Sequence, residues 1–398
     1  MSSQGSTNGS WLPRYEQQLD ADQRAIMLDD ADVGDGQTTL VSGPAGTGKT
    51  AIAVYLCKRL ADERTKFILI AYNPLLVDYM KSAFTELGLD ASNVISLNSW
   101  ILNIYRKYIN PGERDEHSPE IWKIRAKNLR TFLERNPPSE NAKQFIVIDE
   151  VQDVSEDQVH IIKALAHTVY ATGDRAQAIA GLGGKHELKR LWQAHTNHVL
   201  LRNYRTTKRL AALAALFLDE TVSGMRRHDF ANETRGRVFE APIESLNVSG
   251  WNNHIDMASR KARDARDAGR TVCILLPTFE QVDRALAVPA MIRLSPTVLS
   301  ARNGYKADGG IHITTVHSVK GLEFDHVVMP CLTADVWDNF THWGVRPDAK
   351  MLDRYLFVSM TRTRNWLTLI MDLDRPASFV GRIRDHLGSA TGSAPAPF

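Results

Sequence analysis

The chain has 398 residues, of which 43% are hydrophobic and 24% are charged. These fractions are typical of globular proteins and exclude collagen, a coiled coil and wholesale disorder, while the length allows two or three domains. The 48 basic and 46 acidic residues leave a net charge of +2, which excludes a uniformly basic coat for nucleic acid. A polyanionic partner would therefore need a local basic patch.

Cysteine spacing and hydropathy exclude several further classes. Cys57, Cys273 and Cys331 lie far apart and form no C-x-x-C pair, which disfavours a disulfide framework and a zinc site. No apolar run approaches the roughly 18 residues of a membrane span, and the first residues lack the layout of a signal peptide. We expect three core thiols and a cytoplasmic chain.

The first half of the chain alternates short apolar runs with helical stretches. Five runs are predicted as buried strands: 38–42, 67–71, 94–97, 145–149 and 168–172. After the first run, Ile52, Leu56 and Leu60 share one helix face. Strands that alternate with helices predict βαβ units and a parallel sheet covered on both faces.

The second half repeats this pattern and predicts a second α/β domain. Its apolar runs are 271–277, 311–316, 326–330 and 366–371. The predicted segments are an unfolded N-terminal end at 1–12, a first domain at 13–195 with a small helical insert at 101–144, a second domain at 196–388, and an unfolded tail at 389–398. The two ends are small, polar and rich in Gly and Pro.

A phosphate-binding loop directly follows the first predicted strand. Residues 43–50 fit G-x-x-x-x-G-K-[ST] and open a helix, which is the context that this motif requires. The eight residues are Gly43, Pro44, Ala45, Gly46, Thr47, Gly48, Lys49 and Thr50. Such a loop turns its N–H groups towards phosphate oxygens, so we expect Lys49 to reach the outer phosphates and Thr50 to ligate Mg²⁺.

Acidic and amide side chains come at the ends of the fourth and fifth predicted strands, 145–149 and 168–172. Asp149 and Glu150 come at the exit of the strand FIVID, where a doubly wound sheet places its ligands. We predict that Asp149 holds Mg²⁺ and that Glu150 accepts a proton from the attacking water. Gln177 would orient that water or sense the γ-phosphate. For Asp149 and Glu150 taken without the phosphate loop, the alternative is a pair of solvated acids at a strand end with no catalytic role.

Two segments of the second half each supply an arginine that could meet a γ-phosphate. Arg205 lies in Asn203-Tyr204-Arg205, and Arg362 lies in the run 361–364. An arginine that reaches the phosphate only when two domains close would stabilise the transition state. For a single arginine, a surface ion pair is the alternative.

Taken in order, these segments resemble superfamily 1 helicases of the UvrD/Rep/PcrA type. Residues 19–23 (LDADQ) resemble the adenine-reading motif of that family, and residues 315–324 (TVHSVKGLEF) and 355–362 (YLFVSMTR) resemble its last two motifs. The resemblance implies a P-loop NTPase fold with two RecA-like parallel-sheet domains and ATP in the cleft between them. It also implies that Gln23 reads adenine, Tyr204 stacks on it and Glu323 meets the ribose, with Arg205 and Arg362 at the γ-phosphate.

Departures from the family pattern concern the DNA contacts. After Gln177 the family supplies aromatic and arginine residues, but this chain has residues 178–184 (AIAGLGG). The expected DNA-contacting residues are Tyr72, Asn73, Ser99, Trp100 and His317. Tyr72 and Trp100 would offer substitute stacking faces, or else belong to the core. The basic residues of the insert would contact the phosphates of the DNA backbone, or else form the solvent-exposed face of an amphipathic helix.

The sequence thus predicts a Mg²⁺-dependent ATPase that translocates on single-stranded DNA or unwinds it, with 3′ to 5′ polarity implied by the resemblance. Single-stranded RNA is the alternative to single-stranded DNA as the bound strand. The competing hypothesis is an ATPase switch subunit in a repair or defence complex with a protein partner such as a nuclease. A small-molecule kinase would not account for the arginine motifs.

Overall fold

In the computed structural model, contacts divide the chain into two compact units. Unit 1 is Met1–Leu201 and unit 2 is Arg202–Phe398. The structure describes residues 19–29, 36–116, 118–179, 188–223, 225–234, 242–301, 303–305, 310–341 and 346–390. Each unit is built around its own six-stranded sheet.

Unit 1 alternates strands and helices along the chain. Its elements are α1 (Ala21–Asp29), β1 (Thr38–Ser42), α2 (Lys49–Asp62), β2 (Phe67–Ala71), α3 (Pro74–Glu86), β3 (Val94–Ser96), α4 (Leu97–Tyr108), α5 (Pro119–Arg135), β4 (Gln144–Asp149), α6 (Glu156–Leu165), β5 (Ala166–Gly173), α7 (Leu188–Trp192) and β6 (Thr196–Val199). The strands lie in the order β3-β2-β4-β5-β1-β6 and every pair is parallel. The carboxyl ends of all six strands therefore meet at one edge.

The apolar runs form the interior of this sheet. Leu69, Ile70, Val147 and Ile148 are fully buried, as expected for strands covered on both faces. Helices α4 and α5 form the insert before β4, and their apolar faces join the core through Ile101 and other side chains.

Unit 2 has the same architecture. Its elements are α8 (Lys208–Ala215), α9 (Glu220–Ser223), α10 (Arg227–Asn232), β7 (Ile243–Asn247), α11 (Trp251–Asp267), β8 (Val272–Leu276), α12 (Phe279–Leu286), α13 (Pro289–Leu294), β9 (Thr297–Val298), β10 (Ile311–Thr315), β11 (Phe324–Leu332), a π-helix (Ala334–Asp338), α14 (Ala349–Thr361), β12 (Thr363–Met371) and α15 (Val380–Ala390). The parallel strand order is β7-β12-β11-β8-β10-β9.

The two sheets confirm the predicted α/β fold with two RecA-like parallel-sheet domains. The division after Leu201 lies six residues beyond the predicted boundary, because Thr196–Val199 pairs with β1 and so completes the first sheet. All three cysteines are buried and free, as predicted.

Helix α15 extends to Ala390, so the tail predicted from residue 389 begins two residues too early. The rest of both predicted unfolded ends lies outside the described residues. Among the described helices, none combines the length and apolar character needed to cross a bilayer.

Candidate active site

The phosphate loop of unit 1 joins the carboxyl end of β1 to the first residue of α2. Gly46 and Gly48 have φ values of +80° and +86°, in the left-handed region that favours glycine. Gly43 is required for a different reason, because a Cβ there would lie 2.6 Å from the carbonyl oxygen of Leu200. The glycine spacing of the motif therefore reflects backbone geometry in this chain.

Lys49 is buried within this loop. Its Nζ donates to the carbonyl oxygens of Gly43 at 2.8 Å and of Pro44 at 3.0 Å. Thr47 Oγ1 donates to Pro44 O at 3.0 Å and closes the same turn. The ammonium group is thus held inside the loop, where a bound phosphate would meet it.

We expect Gly48→Ala to weaken nucleotide binding and to destabilise unit 1. The φ of +86° costs a non-glycine residue about 1–3 kcal/mol, and the new Cβ would lie 2.4 Å from Gln23 Nε2. Gly88→Ala is the matched control, because Gly88 also has positive φ (+70°) but open space around it, after the end of α3. Thermal unfolding should show losses in both variants, whereas equilibrium nucleotide binding should weaken only in Gly48→Ala. Equal nucleotide affinity in the two variants would contradict the role of the loop.

Asp149 ends β4 beside the loop and is fully buried. Thr50 Oγ1 donates to Asp149 Oδ2 at 2.6 Å, and the hydroxyl of Thr172, at the end of β5, donates to Oδ1. Burial raises the pKa of Asp149, the charge of Glu150 raises it further, and the two hydroxyl donors and Lys49 lower it in part. A buried carboxylate next to a hydroxyl supplies the oxygen ligands that Mg²⁺ prefers. Thr50 and Asp149 therefore fit a magnesium site.

Glu150 lies on a strained turn after β4, with φ of +61°. Its carboxylate accepts a hydrogen bond from Gln152 Nε2, and Gln152 Oε1 accepts from the N–H of Asp174 at 3.0 Å. Gln177 Nε2 donates to Asp174 Oδ2 at 2.7 Å. These hydrogen bonds connect the predicted base to the predicted γ-phosphate sensor through buried side chains.

Gln23 lies against the phosphate loop at the start of α1. Its Nε2 donates to Thr47 O at 2.9 Å, and its Oε1 accepts from the N–H of Asp20 at 2.9 Å. The N–H of Gln23 donates back to Asp20 Oδ1 at 2.7 Å, which completes a capping box. The structure thus places Gln23 at the loop, and its reading of adenine stays a prediction.

In unit 2, Asn203 shapes the turn that carries Tyr204 and Arg205. Asn203 is fully buried, and its Oδ1 accepts from the N–H of Arg205 at 2.9 Å. Its Nδ2 donates to Thr206 Oγ1 at 2.9 Å. Tyr204 is exposed, which leaves its ring accessible for stacking.

Arg205, Glu323 and Arg364 form a half-buried charge cluster in unit 2. Glu323 pairs with Arg205 through Oε1 and with Arg364 Nε through Oε2 at 3.1 Å. Burial raises the pKa of Glu323, but the charges of Arg205 and Arg364, with smaller help from Arg362, outweigh it and hold the pKa at about 2. Two residues that the resemblance assigns to the nucleotide, Arg205 and Glu323, are thus brought together, and Arg364 joins them.

Because of this cluster, we expect the folding stability of unit 2 to fall at acidic pH. Because the pKa of Glu323 falls from 4.5 to about 2 on folding, the ion pairs stabilise the fold above about pH 4.5 and this contribution is lost as the pH falls towards 2. A difference of roughly 2.5 pH units corresponds to about 3 kcal/mol. Chemical unfolding followed from pH 7 to pH 3 should show wild type losing its advantage over Glu323→Gln. The exposed Glu280→Gln is the control, and a pH-independent gap between wild type and Glu323→Gln would contradict the charge assignment.

Arg362 lies at the end of α14 and is buried. Its Nε donates to Val358 O at 3.1 Å and its Nη2 to Thr361 Oγ1 at 3.3 Å. Arg205 Nη1 also donates to Thr361 O at 3.3 Å. Both predicted arginines therefore meet at the C-terminal end of α14.

His317 follows β10 and contacts α14. Its Nε2 is hydrogen-bonded to the hydroxyl of Tyr355 at 2.9 Å, and the two rings form an edge contact at 4.9 Å. Ser318 lies next to it, and its N–H donates to Thr315 Oγ1 at 3.3 Å. The two last sequence motifs are thus physically joined by the His317–Tyr355 contact.

Two of the predicted DNA-contacting residues of unit 1 lie at the carboxyl edge of its sheet. Asn73 follows β2 and caps α3, with its Oδ1 accepting from the N–H of Leu75 at 3.1 Å. Ser99 is exposed, and its N–H donates to Ser96 Oγ at 3.2 Å. Since β2 and β3 are neighbours, Asn73 and Ser99 follow adjacent strands.

The stacking role predicted for Trp100 is wrong. Trp100 is 6% exposed and belongs to the hydrophobic core of unit 1, because α4 turns that face inward with Leu97, Ile101 and Tyr105. Tyr72 is half-buried and packs against the same core. Its pKa is raised by burial and by the charge of Asp153.

The insert does not offer all of its basic residues to a phosphate backbone. Arg125 is buried, pairs with Glu113 at 2.8 Å and donates to Glu116 O at 2.9 Å. Arg130 pairs with Glu134 and Asp157. Arg125 therefore organises the insert itself, and Arg130 also connects the insert to α6. The glycine-rich stretch 181–184 lies outside the described residues.

Several side chains of the site had no role assigned from the sequence. They are Thr172, Gln152, Asp174, Tyr355 and Arg364. Tyr355 and Arg364 fall inside the segments 355–362 and 361–364 that the sequence singled out, so membership of those segments was the available signal for them. The contacts of Thr172, Tyr355 and Arg364 join residues 23, 38 and 41 positions apart, respectively.

Family profiles match both units. A family described as an AAA domain matches residues 31–182, and the UvrD-like helicase C-terminal domain matches residues 288–373. The chain belongs to the UvrD-like superfamily 1 helicases. This membership classes it as an enzyme, an ATP hydrolase of the helicase type. Among curated proteins, none matches the chain significantly.

Solved structures of helicases are similar to this UvrD-like chain. The C-terminal domain of a possible DNA helicase from Lactobacillus plantarum is 14% identical over 45% of this chain and 93% of that one, with a TM-score of 0.33. Arterivirus nonstructural protein 10, a helicase solved with DNA, is 14% identical over 90% of this chain and 65% of that one, with a TM-score of 0.42. The PRRSV helicase is 11% identical over 89% of this chain and 54% of that one, with a TM-score of 0.38. The chain thus spans less than two thirds of either viral helicase.

Proposed function

We propose that this UvrD-like protein is an ATP-dependent translocase on single-stranded DNA that moves 3′ to 5′ and uses Mg²⁺. The observation that carries the proposal is the grouping of site residues in each unit. Unit 1 gathers Lys49, Thr50, Asp149 and Glu150 around a phosphate loop, and unit 2 gathers arginines around Glu323. Each group alone is incomplete for hydrolysis, so the proposal requires both.

Unit 1 would bind and activate the triphosphate. The N–H groups of the loop and Lys49 would hold the phosphate oxygens, and Thr50 with Asp149 would hold Mg²⁺, which neutralises phosphate charge. Glu150 would accept the proton of the attacking water, and the strained turn and Gln152 would keep its carboxylate in place. Gln177 would orient the water or sense the γ-phosphate through its link to Asp174.

Unit 2 would complete the site with Tyr204 on the adenine, Glu323 at the ribose, and Arg205 and Arg362 at the γ-phosphate. In the structure Arg205 is neutralised by Glu323. A ribose hydroxyl that takes the place of Arg205 on this carboxylate would release the guanidinium for the phosphate. Arg364 would keep Glu323 ionised during that exchange.

DNA would be contacted by loops that follow the strands of both sheets. Asn73 in unit 1 and His317 in unit 2 follow such strands, and Ser99 lies in the first turn of α4 directly after β3. Because His317 is bonded to Tyr355 on the helix that ends at Arg362, a change at the γ-phosphate would reach the DNA contact through α14.

A translocation assay tests this function. Single strands that carry biotin and streptavidin at the 3′ or the 5′ end distinguish the two directions of movement, and Lys49→Ala is the inactive control. We expect ATP-dependent streptavidin displacement from the 5′ end only. Displacement from the 3′ end only would show movement from 5′ to 3′ and contradict the proposed polarity. Slow ATP hydrolysis without displacement from either end would support the switch subunit instead.

A further inference from the structure

Exposed aromatic rings are rare among the described residues of this chain. The exposed ones are Tyr108, Tyr204 and Phe279. Tyr108 stacks on Phe132 at 5.8 Å and lies under Lys107 Nζ, 4.9 Å from the ring centroid. Tyr204 is the proposed adenine contact. Within the described residues, Phe279 has neither an aromatic nor a cationic neighbour on its ring, although it is 40% exposed.

Phe279 lies at the carboxyl edge of the second sheet. Strand β8 ends at Leu276, which is paired in parallel with Thr315 of β10. Phe279 follows three residues after Leu276, and His317 follows two residues after Thr315. Both side chains therefore lie just beyond the carboxyl ends of adjacent strands, where open parallel sheets bind ligands.

The backbone at Phe279 is firmly held. Thr278 and Gln281 form a capping box, in which Thr278 Oγ1 accepts from the N–H of Gln281 at 3.4 Å and Gln281 Oε1 accepts from the N–H of Thr278 at 3.1 Å. Gln281 Nε2 also donates to Val336 O at 3.1 Å, which ties α12 to the π-helix. Since Phe279 is the first residue of α12 and Val282 in the same first turn is buried, the backbone that carries the exposed ring is fixed in position and does not belong to a loose loop.

Unit 1 offers little surface for base stacking among its described residues. Trp100 is in the core and Tyr72 is half-buried against it. Ala178 and Ile179, which follow Gln177 where the family pattern has aromatic residues, are buried and not aromatic. A strand of bases would therefore need an aromatic face elsewhere.

We propose that Phe279 stacks on a base of single-stranded DNA and is a principal aromatic contact to the strand in unit 2. The inference rests on the proposed function. Aromatic stacking tolerates any base, because every base has a π-face, and this suits a protein that moves along DNA of any sequence. The His317 loop beside Phe279 would hold the sugar-phosphate backbone of the same nucleotide.

Equilibrium binding of fluorescein-labelled oligodeoxythymidine to the full chain, at fixed salt, tests the proposal. Phe279→Ala should raise the Kd about 5- to 150-fold, whereas Phe279→Trp should retain wild-type affinity. Ile292→Ala is the matched control, because Ile292 is a more exposed apolar residue of the same unit, on α13. An oligonucleotide of abasic sugars should bind wild type and Phe279→Ala equally, since no base remains to stack.

The outcomes separate this inference from the proposed function. If wild type binds the oligonucleotide and Phe279→Ala binds it equally well, the role of Phe279 is overturned and the translocase proposal stands. If wild type itself fails to bind, the translocase proposal fails first. A loss in Phe279→Ala that is as large on the abasic strand would also overturn stacking, because it would report a general defect of unit 2.

Discussion

Glu150→Gln is expected to slow ATP turnover by roughly 10²- to 10⁴-fold, because the amide cannot accept the proton of the attacking water. The substitution preserves the size of the side chain, and the hydrogen bond that Gln152 donates can be kept by the new carbonyl oxygen. Steady-state release of phosphate measures the loss. Equilibrium binding of ATP should stay close to wild type, so the defect should appear in kcat.

The control for this variant is Glu156→Gln. Glu156 is exposed in the first turn of α6, six residues further along the chain. Its turnover should match wild type. Turnover by Glu150→Gln at the wild-type rate would remove Glu150 from the chemistry and leave it as a buried structural acid bonded to Gln152.

Arg205→Ala and Arg362→Ala are each expected to reduce kcat by about 10³- to 10⁵-fold, the range for an arginine that meets a γ-phosphate. Lysine at either position should recover only part of the rate, because an ammonium group lacks the planar fork of guanidinium. Since Arg362 is buried and bonded to Val358 O, thermal unfolding must accompany the assay. The lysine variants keep the charge and provide a folded comparison.

Arg364→Ala is the matched comparison for Arg205→Ala, because both arginines pair with Glu323. Loss of Arg364 should affect nucleotide affinity more than kcat. If Arg364→Ala and Arg205→Ala lower kcat equally, the two arginines act only by maintaining the charge cluster. The assignment of Arg205 to the phosphate would then be wrong.

The sequence predicted the interior strands of both sheets and missed three edge strands. Interior strands are buried on both faces and are therefore continuous apolar runs, such as residues 145–149. β6 and β7 are edge strands whose residues alternate between more and less buried, and β9 has only two residues. Their polar side chains gave no apolar run, which is also why the predicted domain boundary fell before β6.

The candidate site was predictable where its residues lie in one local motif. The loop 43–50 and Asp149 are positioned by strands that the sequence reveals. Long-range partners such as Arg364 and Tyr355 depend on how strands and helices pair, and no local pattern encodes that. For Trp100 the local pattern was available but was not followed. Its spacing from Leu97, Ile101 and Tyr105 matches one apolar helix face, which indicates a core position and not a stacking surface.

The proposed function requires that DNA binding and ATP hydrolysis are coupled in this protein. Steady-state ATP turnover, measured against increasing single-stranded DNA with Mg²⁺ present, tests it most directly. We predict a several-fold rise that saturates with DNA and is absent in Lys49→Ala. Turnover that is the same without DNA and at saturating DNA would contradict the claim.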